Sequence, residues 1–236
     1  MSDETVELLR ELTEASGVSG YEQEVREIIR KHLQKITVIE QDRLGSIVCR
    51  KKGETETPRI MIAGHMDEIG FIVKLITDEG FIRFSTLGGW WGHVMLAQRV
   101  VIKTRKGDVP GLIGSKPPHI LSDEERKKLL EPKDMYIDVG ATSQEEVKAL
   151  GIRPGDPIIP VFPFTLSGTG KTYLAKGLDD RVGCALVIDV IKNLVREKHP
   201  NTVYGVGTVQ EEVGLRGART SALVIEPDVG LTMETG

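Results

Sequence analysis

The sequence predicts an α/β sheet-and-helix domain interrupted by a small β-barrel domain, and three observations carry that prediction. Helical periodicity fills residues 1–36 and returns strongly over 180–198, DRVGCALVIDVIKNLVREK. Short continuous apolar runs lie between and after these helices, the pattern of strands buried on both faces. From Phe71 to Pro163 the texture changes to short alternating segments broken every few residues by Gly, Pro or Asp, which marks a small barrel or sandwich.

Taken in order, the first helices are VELLRELTEA (6–15) and YEQEVREIIRKHLQKI (21–36). Ser19 and Glu22 stand at the three-residue offset of a capping box, which predicts the start of the second helix. SIVCR (46–50) and RIMIAG (59–64), separated by the polar turn KKGETETP, read as strands of one buried sheet. In the middle segment FIRFSTL, RVVIKT, VPGLIG, MYIDVG and DPIIPVF read as barrel strands, with SDEERKKLL (122–130) and SQEEVKALG (143–151) as acidic-started helices that decorate them. The α/β pattern then resumes with the 180–198 helix, the strand TVYGVGTV (202–209), a segment RGARTSALVI (216–225) and the strand VGLTM (229–233). The expected domains are therefore 1–70 with 164–236, and an insert at 71–163.

Composition narrows the function classes. With 31 basic against 35 acidic residues and a net charge of −4, the chain offers no basic footprint for nucleic acid. No stretch approaches the roughly 18 apolar residues of a membrane span, and the start, MSDETVELLRELTEASG, lacks the basic and apolar regions of a secretory leader. Cys49 and Cys184 lie far apart in apolar contexts, as reduced thiols of a core do. A cytoplasmic protein with neither a nucleic-acid nor a membrane partner is expected.

Acids and one histidine collect where the α/β strands end. His65 and Asp67 follow RIMIAG, Asp179 and Asp180 precede the 180–198 helix, Glu211 and Glu212 follow VYGVGTV, and Glu234 follows VGLTM. In open α/β sheets ligands bind at the carboxyl ends of strands. Each feature also has a plainer reading. His65 could be a satisfied core histidine, the Asp pair an N-cap, and the Glu pair a solvated turn. An Asp two residues from a His can fix the tautomer of a metal-bound imidazole. A cap needs one aspartate, which frees the other for the cleft. On an extended chain the side chains of Glu211 and Glu212 diverge, so that one could hold a cation while the other serves as a base. Converging carboxylates repel one another and raise their own pKa values, a penalty that divalent cations reverse. A histidine plus carboxylates, without thiolate, suits Zn, Co or Mn at a hydrolytic site.

AGHMDEIGFIV, GGWWGHVMLAQRVVI, GLIGSKPPHIL, MYIDVGATS, LGIRPGD, AKGLDDRVGCALVIDVI and VQEEVGLRGA, in that order, resemble the glutamyl/deblocking aminopeptidases, a family of co-catalytic metallopeptidases with some members labelled cellulase M or endoglucanase. The resemblance runs through essentially the whole chain. It implies a metallopeptidase catalytic domain with two divalent ions, Zn or Co with Mn as a further candidate. His65 would hold one ion, with Asp67 clamping its ring. Asp179, joined to Asp180 by a cis peptide, would bridge both ions. Glu212 would hold the other, and Glu234 would take the place of the last acidic ligand of the His65 ion, where many relatives have Asp. Glu211 would be the general base. The insert would be a dimerisation domain, used by relatives in dimers and in tetrahedral dodecamers, and the substrates would be peptides.

Members of that family run roughly a hundred residues further, so the resemblance implies a C-terminally incomplete catalytic domain that lacks the final histidine ligand. His32, His93, His119 and His199 match no ligand position, and one of the two ions is expected to be weakly held or absent. Two alternatives stand beside the aminopeptidase: a glycan hydrolase acting on β-glucan or xylan, which needs paired carboxyls and no metal, and a catalytically impaired assembly module.

Overall fold

The chain begins with two amphipathic helices, α1 (Asp3–Glu14) and α2 (Gln23–Leu33), whose buried residues Leu8, Leu9 and Leu12 and Val25, Ile29 and Leu33 recur at the spacing of one helix face. Strands β1 (Val38–Gln41), β2 (Ile47–Lys51) and β3 (Ile60–His65) follow. The chain next passes through β4 (Gly70–Ile76), β5 (Ile82–Leu87), β6 (Arg99–Thr104), β7 (Gly107–Ser115), β8 (Met135–Asp138), α3 (Gln144–Ala149) and β9 (Pro157–Pro160). After a short hairpin of β10 (Thr165–Leu166) and β11 (Tyr173–Leu174) come α4 (Leu178–Leu194), β12 (Val203–Thr208), α5 (Arg216–Ile225) and β13 (Val229–Thr232). This is a computed structural model, and it describes residues 3–235. It divides into an α/β unit, Met1–Glu68 with Pro163–Gly236, and a second unit, Ile69–Phe162.

In the α/β unit the sheet order is β1-β2-β12-β3-β13. Strand β3 lies between β12 and β13 and runs parallel to both, while β2 pairs antiparallel with β1 and β12. Three neighbouring strands therefore end on the same side of the sheet. Leu12, Val25, Ile29, Leu33, Val187, Ile188 and Ile191 from the helices pack with Ile47, Cys49 and Ile62 of the sheet. Gly64 on β3 has a steric reason, because a Cβ there would lie 2.6 Å from the carbonyl carbon of Gly183 and force α4 away. Both cysteines are free and buried.

The second unit is a closed barrel in the order β4-β5-β8-β7-β6-β9, filled by Phe71, Val73, Ile82, Phe84, Val100, Ile102, Ile113, Ile137 and Ile158. Ser143 caps α3, its Oγ accepting from the Glu146 N–H at 3.2 Å.

Three expectations about local structure fail in whole or in part. SDEERKKLL is not a helix: it holds only a single 3-10 turn, Glu125–Lys127. Six consecutive charged residues, 123–128, leave it no apolar stripe, and packing of such a stripe supplies most helical stability. The Ser19–Glu22 capping box does not form, because the Ser19 hydroxyl donates to Asp67 instead and α2 starts at Gln23 with no side-chain cap at Glu22. The 180–198 helix ends early, at Leu194. No helix among the described residues is long and apolar enough to cross a membrane.

Candidate metal centre

His65 ends the middle strand of the three parallel ones. In register with it is Thr208, the last residue of β12, and beyond that strand the chain turns through Gln210 to Glu211 and Glu212. On the other side Met233 donates its N–H to the Ala63 carbonyl at 2.8 Å, which brings Glu234 level with His65. Asp179 comes from the start of α4, where the Asp179–Asp180 peptide is cis.

The imidazole of His65 is 4% exposed, and its two nitrogens have separate partners. Nδ1 lies 3.0 Å from the backbone carbonyl of Asp67 and 3.5 Å from its carboxylate. A carbonyl only accepts, so Nδ1 carries a proton and Nε2 is the atom left to bind a ligand. Nε2 lies 2.9 Å from Asp179 Oδ1 and 3.8 Å from both Glu211 Oε2 and Glu234 Oε1. Ligand atoms of His65, Asp179 and Glu234 fall within 4.8 Å of one another, and so do those of His65, Glu211 and Glu212. Asp179 and Glu212, expected to share an ion, do not fall into one such group among the described residues. His32, His93, His119 and His199 belong to neither group.

The two aspartates beside these residues have different work. Asp180, fully buried, accepts from the Gly183 N–H at 2.8 Å and from the His65 N–H at 3.0 Å. Its backbone is non-helical within the first turn of α4, and its carboxylate ties the turn that follows to the end of β3, leaving Asp179 exposed to the site. Asp67, also fully buried, accepts from the Ser19 hydroxyl at 2.6 Å and from the Glu211 and Glu212 N–H groups at 2.9 and 3.1 Å. Its ring clamp is thus chiefly its carbonyl, and its carboxylate holds the Glu211–Glu212 backbone. The strand ends at Thr208, so the pair sits on a turn and both carboxylates reach the same histidine. Their expected divergence does not occur. Sequence reasoning missed Ser19 as part of this network. Its only signal was a serine in a loop, which the capping-box reading absorbed.

The electrostatics are those of a site short of positive charge. Burial disfavours a charged imidazole, yet Asp67, Asp180 and Glu211 outweigh it and push His65 up to about 9. Burial, with repulsion from Asp67, Asp179 and Glu211, pushes Glu212 up to about 7, and Glu211 moves the same way. Burial also raises Asp180 to about 6, against its two N–H donors. Asp67 is held below the usual carboxylate range, since His65, Ser19 and the Glu211 N–H overcome its burial. Among the described residues no lysine or arginine pairs with Asp179, Glu211 or Glu234. Their ion-pair partner is His65. A proton and a metal ion compete for the same Nε2 lone pair, so a group that binds its proton this strongly sits where a cation is favoured. One nitrogen and several carboxylate oxygens, with no thiolate, fit Zn, Co or Mn.

Comparison with known proteins identifies the family and the fold. A TET aminopeptidase from a marine sediment archaeon of the Thaumarchaeota superimposes with a TM-score of 0.95 at 50% identity, over 99% of this chain and 66% of that one. The Pyrococcus horikoshii TET1 peptidase, described as assembling into a tetrahedron or a large octahedral shell, matches at 36% identity and a TM-score of 0.88, over 98% of this chain and 68% of that one. Among curated proteins, Escherichia coli K12 FrvX is 46% identical over 233 residues, 98% of this chain and 64% of its own length. The chain thus spans about two thirds of the length of these relatives. A model described as AMPT matches residues 3–29. The model described as M42 glutamyl aminopeptidase accounts for residues 45–236, and with them for every side chain that faces His65 Nε2, so the chain belongs to the M42 glutamyl aminopeptidase family.

Proposed function

We propose that the protein is a metal-dependent aminopeptidase that removes N-terminal residues from peptides. The observation that carries this reading is the His65 nitrogen Nε2, faced by the carboxylates of Asp179, Glu211 and Glu234 with no lysine or arginine among the described residues to balance them. His65, Asp179 and Glu234 would hold one divalent ion, Zn or Co with Mn as a further candidate, while Glu212, whose ligand atoms group with His65 and Glu211 and, among the described residues, not with Asp179, would leave a second ion weakly held or absent. Such ions would neutralise the crowded carboxylates, polarise a scissile carbonyl and make water more acidic.

The chain's own residues then do the following. Asp67 and Asp180 fix the orientation of the His65 ring and backbone. Glu211, partly exposed and held at its backbone by Asp67, takes the proton of the attacking water and returns it to the leaving amine. Burial raises its pKa above the ordinary glutamate range, which makes it a stronger base than an exposed glutamate. Homo-oligomerisation through the barrel unit is part of the same proposal, supported by the assembly described for the TET1 relative.

Hydrolysis of aminoacyl-nitroanilides is expected to disappear on exhaustive chelation and to return with Zn²⁺ or Co²⁺. Turnover that survives chelation would overturn the reading. A soluble β-glucan assayed in the same chelated sample separates the glycan-hydrolase alternative, since metal-free cleavage lost in Glu211→Gln would favour it. Elemental analysis of metal per chain beside the intact mass tests whether two ions are held, and light scattering tests the assembly.

A further inference from the structure

An amino-terminal loop far from the acidic motifs reaches the same centre. Residues 17–21 dock on the end of β3: the Glu68 N–H donates to the Gly17 carbonyl at 2.9 Å, and Val18 forms a parallel bridge with Glu68. The fit is close at Gly17, where a Cβ would lie 2.7 Å from an Arg181 guanidinium nitrogen and 3.0 Å from a Val25 methyl, so a larger residue would displace the Arg181 side chain. This docking delivers two polar side chains. Ser19 Oγ donates to Asp67 Oδ2 at 2.6 Å, and Glu22 Oε1 accepts from the Gly20 and Gln210 N–H groups at 2.7 and 3.1 Å. Both residues are buried.

Their targets are the three consecutive residues that aim the Glu211–Glu212 pair. Gln210 is held at φ +55°, a left-handed conformation that a non-glycine residue keeps only when its surroundings over-determine it. The determinants are the Glu22 carboxylate on its N–H and, on the next two N–H groups, the Asp67 carboxylate that Ser19 itself orients.

We propose that Ser19 and Glu22 are positioning residues that set the Glu211–Glu212 turn, Ser19 through Asp67 and Glu22 through Gln210. Neither touches the ring nitrogen or the carboxylates that face it. Their effect passes through backbone N–H groups of the turn. The rate arm of the test rests on the aminopeptidase reading, whereas the structural arm does not.

The test compares Ser19→Ala, Ser19→Thr and Glu22→Gln in the full chain, by metal-saturated kinetics and by hydrogen exchange over residues 208–215. Loss of one charge-assisted hydrogen bond to Asp67 is expected to speed exchange at the Glu211 and Glu212 amides about tenfold in Ser19→Ala, and to lower kcat about tenfold with KM within about twofold. Ser19→Thr, which restores the hydroxyl, is expected to recover most of both effects. Glu22→Gln, which keeps the shape and weakens the acceptor, is expected to speed exchange at Gln210. Unchanged exchange at 210–212 in Ser19→Ala overturns the proposal. If Ser19→Ala does not fold, unchanged exchange at Gln210 in Glu22→Gln does so. Should the parent chain show no peptidase turnover, the exchange result still decides the positioning role, so its failure and that of the aminopeptidase reading remain distinguishable.

Discussion

The barrel unit encloses Phe71, Ile82, Ile102, Met135, Ile137 and Ile158, and among the described residues Asp156 is its one buried polar side chain. The α/β unit also has an apolar core, yet it buries Glu22, Asp42, His65, Asp67, Glu68, Asp180 and Arg181 as well. Apolar burial needs no partner, whereas a buried ion is costly unless it is paired and hydrogen-bonded. The contrast therefore locates chemistry. One unit is stabilised chiefly by apolar area, and the other maintains polar networks at the carboxyl ends of its strands, two of them beside β3. The first is the His65–Asp67–Glu211 centre. The second is structural: Glu68 accepts from Lys176 at 2.6 Å and from Arg181 at 3.5 Å, and Arg181 also donates to the Leu12 and Gly17 carbonyls at 2.8 and 3.2 Å.

The largest effect expected from this division is on turnover. Glu211→Gln keeps size and backbone contacts while removing the base, so hydrolysis is expected to fall about 10²–10⁴-fold with circular dichroism and melting temperature little changed. A loss below about threefold, against that catalytic range, would remove Glu211 from the chemistry. The next effect is on stability. Arg181→Met leaves Glu68 short of a buried partner and removes the side-chain donor to the Leu12 carbonyl, and breaking a buried pair costs about 3–5 kcal/mol, to be read from urea denaturation. A change under about 1 kcal/mol, the range of exposed pairs, would mean that Arg181 is solvated in solution. The barrel supplies the contrast. Asp156 accepts from the Arg153 N–H at 3.0 Å and from its guanidinium at 3.1 Å, so Asp156→Ala is expected to lose about 1–3 kcal/mol and to leave kcat unchanged. A drop in kcat there would break the division of labour between the units.

How much of this could be read in the chain follows the same line. Strands β3, β12 and β13 were legible as apolar runs, and the acids at their ends were legible because charges that follow such runs need a reason. The barrel was legible from alternation and turn residues. Gln210 was not, because nothing in QEEVG announces a left-handed residue, and without it the Glu pair reads as the end of a strand with diverging side chains. Ser19 was misread because a capping box and a hydroxyl aimed at a distant carboxylate share one local pattern, and only tertiary contact decides between them. SDEERKKLL carried helix-forming residues but no stripe to pack. Periodicity records which face is buried. It does not record which of several donors a buried carboxylate will choose.

The smallest effect separates a buried carboxylate from an exposed one of similar local design. In the α/β unit Asp42 accepts from the Leu44, Gly45 and Ser46 N–H groups at 2.9, 2.7 and 2.9 Å and from the hydroxyls of Thr220 and Ser221 at 2.6 and 3.2 Å, joining the β1–β2 turn to α5. Burial raises its pKa, but the Thr220, Ser46 and Gly45 donors win and hold it below the usual carboxylate range. In the barrel unit Glu146 is likewise lowered, by the Thr142 N–H and hydroxyl, but it is exposed. A carboxylate with a depressed folded pKa contributes stability that is present above its unfolded value and lost as the pH falls through its folded value. Asp42→Asn is therefore expected to be less stable than the parent at pH 7, with the gap closing as the pH falls below about 4, the ordinary carboxylate range. Glu146→Gln should track the parent closely throughout, because an exposed group regains in water most of what it loses in the fold. Urea midpoints measured from pH 3 to 7 check both, and parallel curves for the parent and Asp42→Asn would show that the turn binds the Asp42 side chain without regard to its charge.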